Sequence, residues 1–197
     1  MNGPNLRRDV PSDFDDQELG PPARWELLRE SRIVLERLAL VASRQRIEAS
    51  VPRGDGEAVM VVPGVATDDG WTSRLRVFLS AIGYEVFGWG LGRNRGNVPK
   101  LIPQVIEQTE RLAQNRGGAV RLAGWSLGGY LAREAAREQP EIVERVVTLG
   151  APIVGGPSYT ASAPGYVRRG YDLDEIRLTV LERERRPIAV PVFAVYS

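Results

Sequence analysis

The chain has 197 residues, of which 43% are hydrophobic, and its formal net charge is +1. This is enough apolar sequence for one globular domain with a sizeable core, and the nearly balanced charge gives no reason to expect a nucleic-acid partner. Cysteine is absent, which excludes disulfides and thiolate metal sites, and we expect neither a metal nor a cofactor. No secretory signal and no membrane-length apolar run is visible, so we expect a cytoplasmic protein.

The first 46 residues differ in character from the rest of the chain. Residues 1–22 are polar and rich in Pro, Gly and Asp, which predicts a flexible arm. Residues 23–46 predict an amphipathic helix, which would pack on the domain or on another subunit. Contact with a membrane surface through residues 24–46 stays open, although interspersed glutamates disfavour it. The apolar face of this helix comprises Leu27, Leu28, Val34, Leu35, Leu38, Val41 and Ala42.

Short apolar runs alternate with helical patterns from about residue 47 to residue 197, which we place in one domain. Strands are predicted at 58–62, 84–89, 119–123, 141–149 and 191–196, and helices at 71–82, at 99–115 and from Gly129 on. Apolar runs of this length, separated by helices, are typical of buried parallel strands. The predicted fold class is therefore α/β, a doubly wound, mostly parallel sheet with helices on both faces.

A G-x-S-x-G motif with Ser126 at its centre connects one of these strands to a helix. A strand, a sharp turn and a helix are the context of a nucleophile elbow, which exposes the serine Oγ above the sheet. Gly124 and Gly128 would flank the serine because larger side chains would collide with the neighbouring helix or strand. The alternative is a glycine-rich turn of another α/β fold, in which Ser126 only caps the helix.

A second glycine-rich segment, Gly90–Gly96, resembles a phosphate-binding loop only superficially. It lacks the lysine and hydroxyl that end a P-loop, and it lacks the spacing of a dinucleotide fingerprint. Its sequence therefore disfavours phosphate binding by the loop.

Four stretches together resemble the α/β-hydrolase superfamily, particularly bacterial lipases and esterases: Val61–Gly64, Gly88–Asn94, Gly124–Gly129 and Val147–Pro152. The resemblance implies a serine hydrolase of carboxylic esters, with a small-molecule or lipid ester as substrate. Ser126 would be the nucleophile and form an acyl-enzyme. The resemblance also implies a cap insertion at about residues 153–185, and an oxyanion hole made by the N–H groups of Leu127 and Val65.

The chain departs from this superfamily in its acid and base. The superfamily's acid follows a strand that residues 191–196 resemble, and its histidine comes later. This chain ends at that point and contains no histidine, so we assign no catalytic acid or base within it. Two explanations stay open. One is a hydrolase whose C-terminal catalytic segment is missing, with little or no activity as this chain. The other is a non-catalytic binding or scaffold protein with the hydrolase fold.

Overall fold

The computed structural model describes residues 43–151, 178, 182–183 and 185–196. The chain divides into two compact units, Met1–Ile47 and Glu48–Ser197. Residues 43–50 are helical (α1). The predicted arm, most of the predicted amphipathic helix and most of the predicted cap lie outside the described residues. Within the described ranges, no helix is both long and apolar enough to cross a membrane.

Five parallel strands form the sheet of the second unit. They are β1 (Ala58–Val62), β2 (Glu85–Gly88), β3 (Val120–Trp125), β4 (Val143–Leu149) and β5 (Val192–Val195). Their spatial order is β2-β1-β3-β4-β5, and each neighbouring pair is parallel. The first strand, β1, therefore lies next to the edge strand β2 on one side, and the later strands β3, β4 and β5 follow in order on its other side.

Helices cover both faces of this sheet, as the strand pattern predicted. They are α2 (Ser73–Ala81), α3 (Val98–Arg116) and α4 (Leu127–Glu138). Successive residues of β1 point to opposite faces. Met60 and Val62 join the core that contains the buried side chains of α3 and α4. Val59 and Val61 pack with Leu75 and other side chains on the α2 side. The predicted α/β class and doubly wound sheet are confirmed.

The predicted strand at 141–149 begins later than expected. Pro140–Ile142 form a 3-10 turn, and the strand starts at Val143. Proline has no backbone N–H and a fixed φ, which suits the first turn of a helical segment better than a central strand. The predicted start of this strand, at Glu141, is therefore two residues too early.

An ion-pair cluster attaches the segment before β5 to α4. Glu134 is 1% exposed and pairs with Arg137 and Arg183, at 3.2 Å in each case. Arg183 also reaches Glu138 at 3.1 Å, and the Arg137 guanidinium donates to the carbonyl of Arg186. A buried carboxylate needs such partners, so these pairs fix the chain that leads into the last strand.

The side chain of Arg121 joins three consecutive strands of the sheet near their amino ends. It donates two hydrogen bonds of 2.9 Å to the carboxylate of Glu144 and lies 2.9 Å from Glu57. The hydrogen bonds from Arg121 lower the pKa of the Glu144 carboxyl, and the same contacts raise the pKa of Arg121. The pairing therefore makes a pH-dependent contribution to stability.

Replacing Glu144 with Gln is expected to lower the free energy of unfolding at pH 7 by at most about 1 kcal/mol, because water screens this half-exposed pair. The lowered pKa makes the carboxylate's contribution complete at neutral pH, and the contribution is lost as the pH falls through that pKa. The difference between wild type and variant, measured by urea denaturation, should therefore vanish in acid. Glu107→Gln is the control, because its ion pair with Arg111 is fully at the surface. A difference that persists in acid would contradict this account.

Candidate active site

The candidate site lies where the chain changes direction across the sheet. After β1 the chain passes to α2 on one face, and after the adjacent strand β3 it passes to α4 on the other face. Loops that diverge in this way leave a crevice at the carboxyl ends of the two strands, which is where open α/β sheets bind ligands. Val65 follows β1 and Ser126 follows β3, so both candidate residues lie at this crevice.

Ser126 has a backbone conformation that residues other than glycine rarely adopt. Its φ is 52° and its ψ is −124°, and the turn is fixed by a hydrogen bond of 2.9 Å from its N–H to the carbonyl of Leu149. Non-glycine residues with positive φ store strain and are concentrated at functional sites. Ser126 occupies the N-cap position of α4, yet its side chain makes no capping hydrogen bond. The structure therefore does not support the alternative in which Ser126 only caps the helix.

Gly124 and Gly128 lie where no side chain fits. A Cβ added to Gly124 would overlap with the backbone of Gly129, at the start of α4. A Cβ added to Gly128 would overlap with the carbonyl oxygen of Val62 and lie 2.6 Å from that of Pro63. The two glycines thus let α4 approach β3 and β1, which brings the turn at Ser126 close to the loop after β1.

Two further glycines at this turn, Gly64 and Gly129, make close approaches that the sequence analysis did not predict. A Cβ on Gly64 would lie 3.3 Å from the Cβ of Ser126. A Cβ on Gly129 would lie 2.7 Å from the Cβ of Ala151. The doubled glycine after the motif was the available signal for Gly129, and the Pro-Gly pair after β1 was the signal for Gly64.

The two N–H groups named as oxyanion donors have no hydrogen-bond partner among the residues that the structure describes. The side chain of Val65 packs with the buried side chains of Leu127 and Tyr130, so the loop after β1 lies against the first turn of α4. The next residue, Ala66, has φ 63°, and its N–H donates to the carbonyl of Asn94 at 2.7 Å. Ala66 is therefore occupied, and Val65 is the better candidate donor in this loop.

Asn94 fastens the glycine-rich loop to the loop after β1. Its side chain is fully buried, donates from Nδ2 to the carbonyl of Pro63 at 2.9 Å, and accepts from the N–H of Gly96 at 2.9 Å. Its backbone N–H donates to the carbonyl of Thr67 at 2.8 Å. Sequence reasoning did not find this role, although Asn94 ends one of the four stretches that carry the family resemblance.

The acids nearest the crevice along the chain are engaged with backbone. Asp69 accepts from the N–H groups of Trp89 and Gly90, at 3.0 and 3.1 Å, and Asp68 accepts from the N–H of Gly70 at 2.9 Å. No histidine is present in the sequence. In the described part of the chain, no group of three or more His, Cys, Asp and Glu residues is arranged to hold a metal ion. The geometry therefore offers a strained serine and two N–H donors that have no partner among the described residues, without an assigned acid or base.

Comparison with solved structures identifies the fold. The chain is similar to a monoacylglycerol lipase of Paleococcus ferrophilus, at 16% identity over 72% of this chain and 74% of the lipase, with a TM-score of 0.51. It is similar to the mature lipase BlEst2 of Bacillus licheniformis, at 17% identity over 74% of this chain and 67% of the lipase, with a TM-score of 0.53. The propeptide form of that lipase gives 16% identity, 74% and 36% coverage, and a TM-score of 0.54.

These similarities are structural, and they lie at identities that establish a shared fold. The chain has the α/β-hydrolase fold, which confirms at the level of fold the resemblance seen in its motifs. No family model matches the sequence, and no curated protein matches it.

Proposed function

We propose that this protein is a serine hydrolase that acts on carboxylic esters of small molecules or lipids. The proposal rests on the geometry of Ser126. This strained residue makes no capping hydrogen bond with its side chain, and it lies beside two N–H groups that have no partner among the described residues. That two of the solved structures with this fold are named as lipases supports an ester substrate.

In the proposed reaction the Ser126 Oγ attacks the ester carbonyl while a base takes the hydroxyl proton. The N–H groups of Leu127 and Val65 donate to the oxyanion that forms, each contributing about 3 kcal/mol of transition-state stabilisation. The tetrahedral intermediate then expels the alcohol and leaves an acyl group on Ser126. Attack by water on this ester releases the acid and restores the serine.

The 197 residues include no histidine to act as the base in this reaction. A serine hydroxyl is a weak nucleophile without an adjacent base. Oxyanion donors and substrate binding alone still give a catalytic factor of about 10³ to 10⁴ over water. We therefore expect slow hydrolysis by this chain, and a marked increase when a free base can reach Ser126.

Imidazole in solution is expected to raise the rate at which the wild-type chain hydrolyses 4-nitrophenyl butyrate, and to raise it much less with Ser126→Ala. The added imidazole would take the Oγ proton as 4-nitrophenolate leaves. Nitrophenolate release is measured at several imidazole concentrations, with the protein-free rate subtracted. Mass spectrometry of the quenched reaction should show one butyryl group on the wild type and none on the variant. Equal imidazole-dependent rates for the two proteins would overturn Ser126 as the nucleophile.

A second candidate is a binding or scaffold protein that keeps the hydrolase fold without catalysis, and the absence of histidine favours it. The same pair of proteins separates the candidates. A non-catalytic protein would bind a non-hydrolysable ester analogue equally well as wild type and as Ser126→Ala, and neither would acquire an acyl group. Acylation that depends on Ser126 would exclude this candidate.

A further inference from the structure

A cavity of about 730 Å³ next to the proposed active site is lined by cations. Arg93, Arg95 and Lys100 contribute to its wall, together with uncharged residues that include Ala66 and Gln104. Among the described residues, no acidic side chain lines it. Arg93 and Lys100 are exposed cations that line the same space, so an anion there would be attracted to both.

Two of these cations lack the carboxylate partners that Arg121, Arg137 and Arg183 have. Neither Arg93 nor Lys100 forms an ion pair with any residue in the described ranges. Lys100 is the only lysine in the chain, and it stands in the first turn of α3, where no acidic residue accompanies it. A cation at this end of a helix is disfavoured by the helix dipole, so a bound anion would relieve two unfavourable interactions at once.

The cavity adjoins the proposed oxyanion loop directly. Arg93 donates from Nε to the carbonyl of Ala66 at 2.9 Å, and Ala66 follows the proposed donor Val65 in the chain. That hydrogen bond uses Nε alone, and among the described residues the two terminal guanidinium nitrogens have no partner, so they could bind a ligand. An anion held by Arg93 would thus lie beside the place where the scissile carbonyl is proposed to bind.

We propose that this cavity binds a phosphate group, and that the ester substrate of the proposed hydrolase carries it. A phosphate monoester has a charge of about −1.5 to −2 at neutral pH, which matches the two cations Arg93 and Lys100 better than the single charge of a carboxylate does. Arginine binds phosphate oxygens in a forked geometry, and lysine binds them as a point charge. The ligands are these side chains and not the backbone of the loop, since the loop N–H groups of Gly90, Asn94 and Gly96 already donate to other partners. The substrate assignment rests on the proposed function, whereas the phosphate site does not.

The test is a calorimetric titration with inorganic phosphate at constant ionic strength. We expect Arg93→Gln and Lys100→Gln each to weaken phosphate binding about tenfold or more. Arg74→Gln is the matched control because it removes the same charge at a different place. Arg74 is exposed on α2 and forms no ion pair with a described residue. Within the described ranges the Lys100 side chain forms no hydrogen bond or ion pair, so its variant keeps the test valid if Arg93→Gln folds poorly.

Several outcomes would overturn the site. The first is phosphate binding no tighter than chloride binding, and the second is equal phosphate affinity in Lys100→Gln and Arg74→Gln. Ser126→Ala should bind phosphate as the wild type does, so this measurement is independent of catalysis. A second arm compares imidazole-supported hydrolysis of two nitrophenyl esters, one neutral and one bearing a phosphate in its acyl part. A preference for the phosphorylated ester that Lys100→Gln abolishes supports the substrate assignment. Ser126-dependent hydrolysis without that preference rejects the assignment and leaves the proposed function standing.

Discussion

Gly128→Ala is expected to destabilise the protein by about 3 kcal/mol or more, although alanine is the better helix former. In the interior of a helix, alanine is favoured over glycine by about 1 kcal/mol. The added Cβ would, however, overlap with the carbonyl oxygen of Val62 and lie 2.6 Å from that of Pro63. Both carbonyls are in buried residues at the end of β1 and just after it, and they cannot move without disturbing the sheet. The cost of overpacking therefore outweighs the higher helix propensity of alanine.

The measurement is the free energy of unfolding from urea denaturation, with Gly118→Ala as the matched control. Gly118 has nothing within 4 Å of an added Cβ, so its variant should equal the wild type or gain up to about 1 kcal/mol from the stiffer unfolded chain. If Gly128→Ala were as stable as Gly118→Ala, the close approach of α4 to β1 would be wrong. The proposed pairing of donors from Leu127 and Val65 would then lose its structural basis.

The fold could be predicted from the sequence because its signals are local. A buried parallel strand is a short continuous apolar run, and β1 was predicted with the same bounds that the structure has. The α3 helix was equally readable. Asn97 caps it through a 3.3 Å hydrogen bond from the N–H of Lys100, and Gly117 ends it with φ 69°. Several boundaries were misplaced by one or two residues, among them the start of β4, which follows a 3-10 turn at Pro140–Ile142, and the end of β3, which extends to Trp125.

The part of the candidate site that the sequence did not predict depends on contacts between distant segments. Pro63 and Asn94 are 31 residues apart, and their hydrogen bond joins two irregular loops. Neither loop has a periodicity that could announce the pairing. The positive φ of Ala66 is unexpected for the same reason, since alanine does not favour it and only the surrounding contacts impose it. The serine turn was visible because its glycines and its serine lie close together in the sequence, at the spacing of a G-x-S-x-G motif.

Asn94→Ala is expected to destabilise the protein by about 3 kcal/mol, because it leaves two buried backbone groups without a partner. The carbonyl of Pro63 and the N–H of Gly96 are both buried, and each unsatisfied group costs about 1–3 kcal/mol. Asn115→Ala is the control, since Asn115 is an exposed amide near the end of α3, and it should change stability by less than about 0.5 kcal/mol. Urea denaturation measures both. Equal losses in the two variants would contradict the role of Asn94.

A positioning role for Asn94 predicts more than lost stability. If Asn94 holds the loop that carries Val65, then under conditions where Asn94→Ala is fully folded its imidazole-supported rate should still fall, with kcat reduced more than KM is raised. A residue that only stabilised the fold would leave that rate unchanged.

Asn94→Asp separates charge from shape at the same position. The aspartate can still accept from Gly96, but its second oxygen would face the carbonyl of Pro63 in a fully buried place. Burial and this repulsion would raise the pKa of the new carboxyl, so the variant should be least stable at neutral pH. Its stability relative to wild type should improve as the pH falls through that raised pKa, because the protonated carboxyl can donate to Pro63 as the amide does. A variant whose relative stability did not depend on pH would mean that the side chain at position 94 does not face that carbonyl.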